Sequence, residues 1–514
     1  MSWNSQRSED RIRKHLESMG EIDVAPLRKE ANLEQLLSET TCRDIYGAHV
    51  YIHISNFSHL ASVKDSTENY YKRLIQAVHI YERAITRIVT DLGGVLIHFQ
   101  GPKLHALFYR PIEQGEQLAT RAVLLQLILK DFVKTIFNPA FPDGEDFTIA
   151  GGADLGNAIG TMDGMNGDRE LLFLGSPANH AAKIISSAHR LRLTPHLYDA
   201  LPNDLKALCI QTDDGPYQVQ SVPSTTLDTL LNTHGLTWNR ARSARQIQND
   251  KEQFPLEAIR YSAAEAPIDL DQLSIFNNKR VCAASIFADI SGFTRYIDTA
   301  TSREEMQMAL KVFHVIRKET ARIITTDFDG LRIQYQGDRI QGLFHLPQDQ
   351  EKTIVKKVVE AAIGLQSAME YPLKACLPQA KDLRLAIGID IGTTLVSQLG
   401  ARGQRDRICL GEAVERAAQF EERSAGGQIA ISTTMSLLLP NELTSHFHYS
   451  ATVQGYASTD LTAEKVARTA RASIYQNQTP VFLHANARGL LISNTAQSNQ
   501  ATPISPSQRY ASKS

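Results

Sequence analysis

Ser285-Ile286-Phe287-Ala288-Asp289-Ile290-Ser291-Gly292-Phe293-Thr294 is an apolar run that reaches an acidic residue and then breaks at Ser-Gly before a new apolar residue. The order predicts a strand that delivers Asp289 to its carboxyl end and a tight turn into a helix. The stretch has a counterpart upstream. His49-Val50-Tyr51-Ile52-His53-Ile54-Ser55-Asn56-Phe57-Ser58 aligns with it when His53 is laid on Asp289, a shift of 236 positions. The same shift carries Gln100-Gly101 onto Gln336-Gly337, Asp154 onto Asp390, Gly156 onto Gly392, Gly175 onto Gly411 and Ala182 onto Ala418. One constant shift through so many separated positions marks an internal repeat.

Each copy opens with a strand-like run (Val50 to Ile54; Ala284 to Ile290) and passes into a segment of helical period, where Leu74, Ala77, Val78, Tyr81, Ile85 and Ile88 share one stripe. Two strands with a short turn follow (Gly94 to Phe108; Leu331 to Phe344). Then come a second helix (Glu116 to Phe132; Gln350 to Met369) and another strand (Phe147 to Leu155; Leu383 to Ile391). Strands and helices in this order, with hairpins among them, predict an α+β layer fold. The expected division is a helical extension over 1–45, copies over 46–221 and 281–475, a linker over 222–280 that is partly helical, and a C-terminal segment over 476–514. The Ser-, Gln-, Asn- and Thr-rich stretch from about 485 has too little apolar content to order itself.

The chain has 514 residues, 42% hydrophobic and 21% charged, which fits a globular protein of two to four domains. Lys plus Arg number 54 against 56 Asp plus Glu, so no global basic field draws it to nucleic acid or anionic lipid. The few basic residues at Arg240, Arg242 and Arg245 lack interleaved aromatics and read as a linker surface. The richest apolar run, Ala122 to Leu129, is short and broken by Gln126, so no membrane span is expected. The polar N-terminus has no signal-peptide core, and five isolated cysteines (Cys42, Cys209, Cys282, Cys376, Cys409) show no Cys-x-x-Cys spacing. Both features point to reduced thiols and a cytoplasmic setting.

Asp289 and Asp338, the latter in Gln336-Gly337-Asp338-Arg339, fall at the ends of successive strand elements. Hard divalent cations take carboxylate oxygens and keep positions open for phosphates, and two neighbouring carboxylates can hold a metal pair for in-line phosphoryl displacement. The turn after Asp289, with small Ser291 and Gly292, would offer backbone N–H groups to a triphosphate. A single Asp at a strand end is ordinarily a turn or cap residue; it is the pair with its flanking pattern that points to metal chemistry.

These motifs resemble those of class III nucleotidyl cyclases, the adenylate and guanylate cyclase catalytic domain, across both copies. The resemblance implies two tandem ferredoxin-like domains forming an intramolecular head-to-tail pseudo-heterodimer, with the site between them. It implies Asp289, Ile290 and Asp338 at the metal positions with two Mg²⁺ or Mn²⁺ ions, and Ser291, Gly292, Phe293 and Thr294 beside the substrate. In the first copy the metal positions hold His53 and Pro102, but Leu174-Gly175-Ser176-Pro177-Ala178-Asn179-His180-Ala181-Ala182-Lys183 resembles the family's catalytic helix. Asn179 stands at the transition-state Asn and Lys183 where Arg is usual, which costs the planar fork of a guanidinium. The second copy has Glu415 and Gln419 there. One composite site is therefore expected, and the second, degenerate one either takes a regulator or stays idle.

The family's base-reading positions fall on His98 and Leu172, which match neither the adenine nor the guanine pair. Leu172 has no acceptor for an exocyclic amine, whereas His98 can meet a keto oxygen or an imide N–H, and uracil offers both. A strand histidine satisfied by its neighbours is the alternative for His98. The chain is also similar in layout to bacterial antiphage cyclases that make cyclic pyrimidine nucleotides. That likeness implies cyclisation of UTP to 3′,5′-cyclic UMP, an antiviral second messenger for a separate effector. A purine cyclase and a catalytically silent nucleotide-binding signalling protein remain the other readings. Both halves of the site can come from one chain, so the sequence leaves monomer and homodimer open.

Overall fold

The structure is a computed structural model and describes residues 3–61, 68–163, 170–185, 189–401 and 404–469. The expectation for the tail beyond 476 lies outside them.

In the first copy the strands are β1 (Asp23–Pro26), β2 (Thr41–Ile54), β3 (Val95–Gln100), β4 (Lys103–Phe108), β5 (Ile149–Asp163), β6 (Glu170–Leu174), β7 (Leu191–Leu193), β8 (Cys209–Gln211) and β9 (Tyr217–Val219). They form a sheet in the order β3-β4-β2-β5-β7-β9-β8, with β1 on β2 and β6 on β5. The second copy repeats it with β10 (Tyr261–Ser262), β11 (Asn278–Ser291), β12 (Leu331–Gln336), β13 (Arg339–Phe344), β14 (Arg384–Ala401), β15 (Gln404–Leu410), β16 (Gln428–Ile431), β17 (His448–Ser450) and β18 (Gly455–Thr459). Their order is β12-β13-β11-β14-β16-β18-β17, with β10 on β11 and β15 on β14. Within each sheet one pairing of central strands is parallel (β5–β7, β14–β16) and the hairpins are antiparallel, the mixed pattern of an α+β layer.

Helices pack on both faces of each sheet. In the first copy α1 (Ser5–Met19) leads the chain, and α2 (Glu68–Asp91), α3 (Gly115–Phe132), α4 (Ser176–Lys183), α5 (Ser224–Thr233) and α6 (Arg240–Gln253) follow. The second copy has α7 (Phe293–Asp298), α8 (Arg303–Arg322), α9 (Glu351–Ala368) and α10 (Glu412–Arg423). The stripe from Leu74 to Ile88 is buried throughout, as its spacing predicts. The apolar run Ala122 to Leu129 is core: α3 lies between the sheet and α5. No described helix is long and apolar enough to cross a membrane.

Two features exceed the sequence reading. The strand ending at Leu155 continues to Asp163 and returns as β6, and the second copy does the same with β14 and β15. Each hairpin packs into the opposite copy: Leu395, Leu399, Ile408 and Leu410 join the first core, and Ile159, Leu172 and Leu174 join the second.

The leading helices also cross over. α1, which precedes the first copy, lies on α8 of the second, where Arg11 binds Glu319 Oε2 at 3.0 Å and Asp327 Oδ1 at 2.9 Å. α6 precedes the second copy and lies on α2 of the first, where Asp250 meets Arg83 and Arg87 at 3.1 and 2.7 Å. The charges are reversed, so each helix fits one surface and not the other. The basic residues of this segment are fasteners rather than a loose surface: Arg240 pairs with Asp131 and Asp228, and Arg242 with Asp91.

Candidate active site between the two copies

β11 ends in Asp289-Ile290-Ser291, and Gly292 follows at φ 90°, the left-handed conformation that glycine adopts freely and that swings the chain into α7. The hairpin between β12 and β13 turns through Gly337 at φ 71° and presents Asp338 from the neighbouring strand pair. The two carboxylates meet: Asp338 hydrogen-bonds Asp289. Burial and the Asp289 charge push Asp338 well above the usual carboxylate range. Burial also raises Asp289, opposed by the cations of Arg339 and Lys183. Two adjacent buried carboxyl groups are the donor set that a divalent cation satisfies. Among the described residues no group of three or more His, Cys, Asp or Glu side chains could hold a metal, so the remaining ligands would come from backbone, water or phosphate. The Ile290 side chain is 2% exposed and belongs to the second core, leaving only its main chain toward Asp289.

The first copy faces this pair with α4. Asn179 Nδ2 donates to Thr294 Oγ1 at 3.0 Å. Lys183, at the exposed end of α4, is near enough to Asp289 to favour its charged form. Phe293 is buried and stacks on Phe313 at 5.1 Å, fixing the turn from below. Ser291 is half-buried beside Gly426.

The shift of 236 relates a second set of contacts. Ser58 Oγ donates to Glu415 Oε2 at 2.7 Å, the counterpart of Asn179 on Thr294, so the two copies dock head to tail. That cleft is a cavity of about 390 Å³ lined by His53, Pro102, Glu415 and Gln419. Burial lowers His53 to about 3, and its Nδ1 has no hydrogen-bond partner.

His98 and Leu172 are not brought together. Successive residues of a strand face opposite ways. Leu171 lines a cavity of about 480 Å³ with His98, Glu170, Tyr335 and Asp406, whereas Leu172 turns into the second core. Burial holds His98 neutral, down to about 4, with Nε2 2.6 Å from the Gln100 amide nitrogen and a further bond to the Leu171 main chain.

Sequence reading missed Arg339 and Arg317. Arg339 bonds Gln336 Oε1 through Nε at 2.9 Å and Glu421 through Nη1 at 2.9 Å, with its guanidinium 4.8 Å over the Phe287 ring. Its position directly after Asp338 was the available signal. Arg317, mid-helix in α8, had none.

The family described as adenylate and guanylate cyclase catalytic domain matches residues 277–462. The second half of the chain carries a class III cyclase domain. The cyclase domain and its degenerate partner together are similar to a protein named uridylate cyclase from Pseudomonas aeruginosa, 27% identical over 495 residues that cover 91% of this chain and 94% of that one. Another protein of that name, from a Rhizobium species, is 26% identical over 412 residues covering 76% and 78%. A crystal structure of a class III adenylyl cyclase-like ATP-binding protein from P. aeruginosa shares the fold at a TM-score of 0.78 and 24% identity, covering 91% of this chain and 99% of that one. Residues 277–462 thus carry a cyclase catalytic domain, of a family that uses divalent metal ions.

Proposed function

We propose that the chain converts a nucleoside triphosphate, UTP foremost, to its 3′,5′-cyclic monophosphate and pyrophosphate. The observation that carries this reading is the Asp289–Asp338 pair on one copy with Asn179 and Lys183 facing it from the other. UTP is favoured by the names of the two relatives that align along most of the chain. His98 and Leu172 also present neither purine-reading pair.

Asp289 and Asp338 would hold two Mg²⁺ or Mn²⁺ ions, which when bound supply positive charge to the triphosphate and lower the pKa of the ribose hydroxyl. The 3′-hydroxyl releases its proton to solvent, and its oxygen forms a bond to the α-phosphorus as the bond to the bridging oxygen breaks and pyrophosphate leaves. Asn179, its side chain fixed by Thr294, orients the ribose. Lys183 neutralises charge on the α-phosphoryl oxygens, in a reaction that depends on positioning and electrostatics. The backbone turn at Ser291 and Gly292 lies where the distal phosphates would rest. Reading of the base by His98 requires the imidazole to exchange Gln100 for a uracil edge.

The test is incubation of the purified chain with Mn²⁺ and ATP, GTP, CTP or UTP separately, with cyclic product read by mass spectrometry. Cyclic UMP as the main product is expected. A purine product overturns the base assignment and keeps the site; no product from any of the four overturns the catalytic reading. On this reading the product is a second messenger for a separate effector in antiviral defence. Phage plaque counts on hosts carrying wild-type or Asp289→Ala chain with that effector test it, and equal counts would remove the defence role.

A further inference from the structure

Arg317 is 2% exposed and spends every guanidinium nitrogen on a contact between the copies or with the turn bearing Asp338. Nε donates to Asp163 Oδ2 at 2.6 Å and Nη2 to Glu170 Oε2 at 2.7 Å, so the guanidinium grips both strands of the first copy's β5–β6 hairpin at their last register pair. Nη1 donates to the carbonyl of Gly337 at 2.5 Å, the residue just before Asp338. The plane lies 3.6 Å over the Tyr335 ring, whose hydroxyl donates to the Arg317 carbonyl at 2.6 Å. Side chain and main chain thus hold β12 and its turn together.

The repeat supplies an internal comparison. The counterpart of Arg317 is Tyr81, packed in the first core against Phe137 and Phe147, with its hydroxyl lacking a partner. The counterpart of Asp163 is Leu399, also core. The turn that Tyr81 would serve carries Pro102, which ligates nothing. Asp406, the counterpart of Glu170, keeps its carboxylate but accepts from the Phe99 main-chain N–H at 2.8 Å, so among the described residues the arginine clamp is found on the side that has the two carboxylates.

We infer that Arg317 is a positioning residue that sets the Asp338 turn from the first copy's hairpin, so that the two carboxylates come into register only when the copies are docked. This rests on the reading of Asp289 and Asp338 as the metal carboxylates. Glu170 starts the strand that leads to α4, and so the same clamp registers Asn179 and Lys183 against the turn. Lysine cannot replace it, because its donors radiate from one nitrogen and cannot span acceptors that Arg317 reaches with three separate nitrogens in one plane.

The experiment measures Mn²⁺ affinity by electron paramagnetic resonance without nucleotide, then kcat, KM for UTP and Tm, for Arg317→Met, Arg317→Lys and Glu170→Gln. Val359→Ala, a void in the second core away from the turn, serves as the stability-matched control. Arg317→Met is expected to weaken Mn²⁺ binding about 10- to 100-fold and lower kcat with it, with KM for UTP within about threefold. Arg317→Lys recovers a minor part, and Val359→Ala lowers Tm while leaving Mn²⁺ affinity within about twofold. A folded Arg317→Met with wild-type Mn²⁺ affinity overturns the inference, as does a control that moves the affinity equally. Should Arg317→Met not fold, Glu170→Gln decides: Mn²⁺ binding several-fold weaker supports the clamp, and unchanged binding sinks it. A wild-type chain that binds Mn²⁺ yet makes no cyclic product defeats the cyclase reading and leaves this test standing; one that binds no Mn²⁺ overturns both.

Discussion

Asn179 on α4 of the first copy donates to Thr294 on α7 of the second at 3.0 Å, next to the turn that carries Asp289. The bond crosses the junction between the repeats and orients a side chain that has no reason to point there within its own copy. Asn179→Ala should lower kcat about 100-fold or more, the usual effect of removing a group aimed at a transition state. Thr294→Val should cost about tenfold, the loss of one hydrogen bond. Steady-state assays that leave KM for the nucleotide within a few-fold check both.

The equivalent contact on the other cleft, Ser58 to Glu415, lies beside His53 and Pro102, which offer no carboxylate. Ser58→Ala should leave kcat within about threefold of wild type, as for a surface change away from the chemistry. A loss as large as that of Asn179→Ala would mean that the second cleft takes part in turnover.

Lys183 approaches Asp289 from the exposed end of α4. Lys183→Ala should lose about 100-fold in kcat, while Lys183→Arg should match or exceed wild type, because the planar guanidinium grips a phosphoryl group with two parallel bonds. The cyclic product yield per minute under saturating UTP and Mn²⁺ decides it.

Asp338 is held well above the usual carboxylate range by burial and by Asp289. The sign follows from linkage: the folded state favours the proton, so the metal-free chain loses stability as pH rises above about 4, where an unfolded Asp ionises. Asp338→Asn removes that cost. Its metal-free Tm should exceed that of wild type at pH 8, with the gap closing toward pH 4, while its turnover falls at least about 100-fold. Thermal scans across pH measure the first, and product assays the second.

A metal ion must compete with the proton that burial and the Asp289 charge favour on Asp338. The rise in Tm produced by a fixed Mn²⁺ concentration should therefore be larger at pH 8 than at pH 6, and absent in Asp289→Ala at both.

The repeat, the strand ending at Asp289 and the buried stripe of α2 were legible because periodicity and a constant shift survive in one sequence. The β5–β6 hairpin was not read, although Asp163-Gly164 and Asn166-Gly167 are turn signals, because Ile159, Leu172 and Leu174 find their core only in the other copy. Arg317 was illegible for a related reason. A guanidinium in the middle of an amphipathic helix looks like a solvated face until Asp163, Glu170 and Gly337, far away in sequence, are folded around it. His98 and Leu172 were paired by position in a motif, and strand alternation separates them.

The crossing of the leading helices bears on how such a chain arises. One repeat of 236 residues contains a leading helix, a sheet and a reaching hairpin, so two identical polypeptides trading those helices would close into a twofold dimer with two equal clefts. Joining them end to end frees each half to drift. The two clefts need not be alike, and His53 and Pro102 stand where the second copy has Asp289 and Asp338.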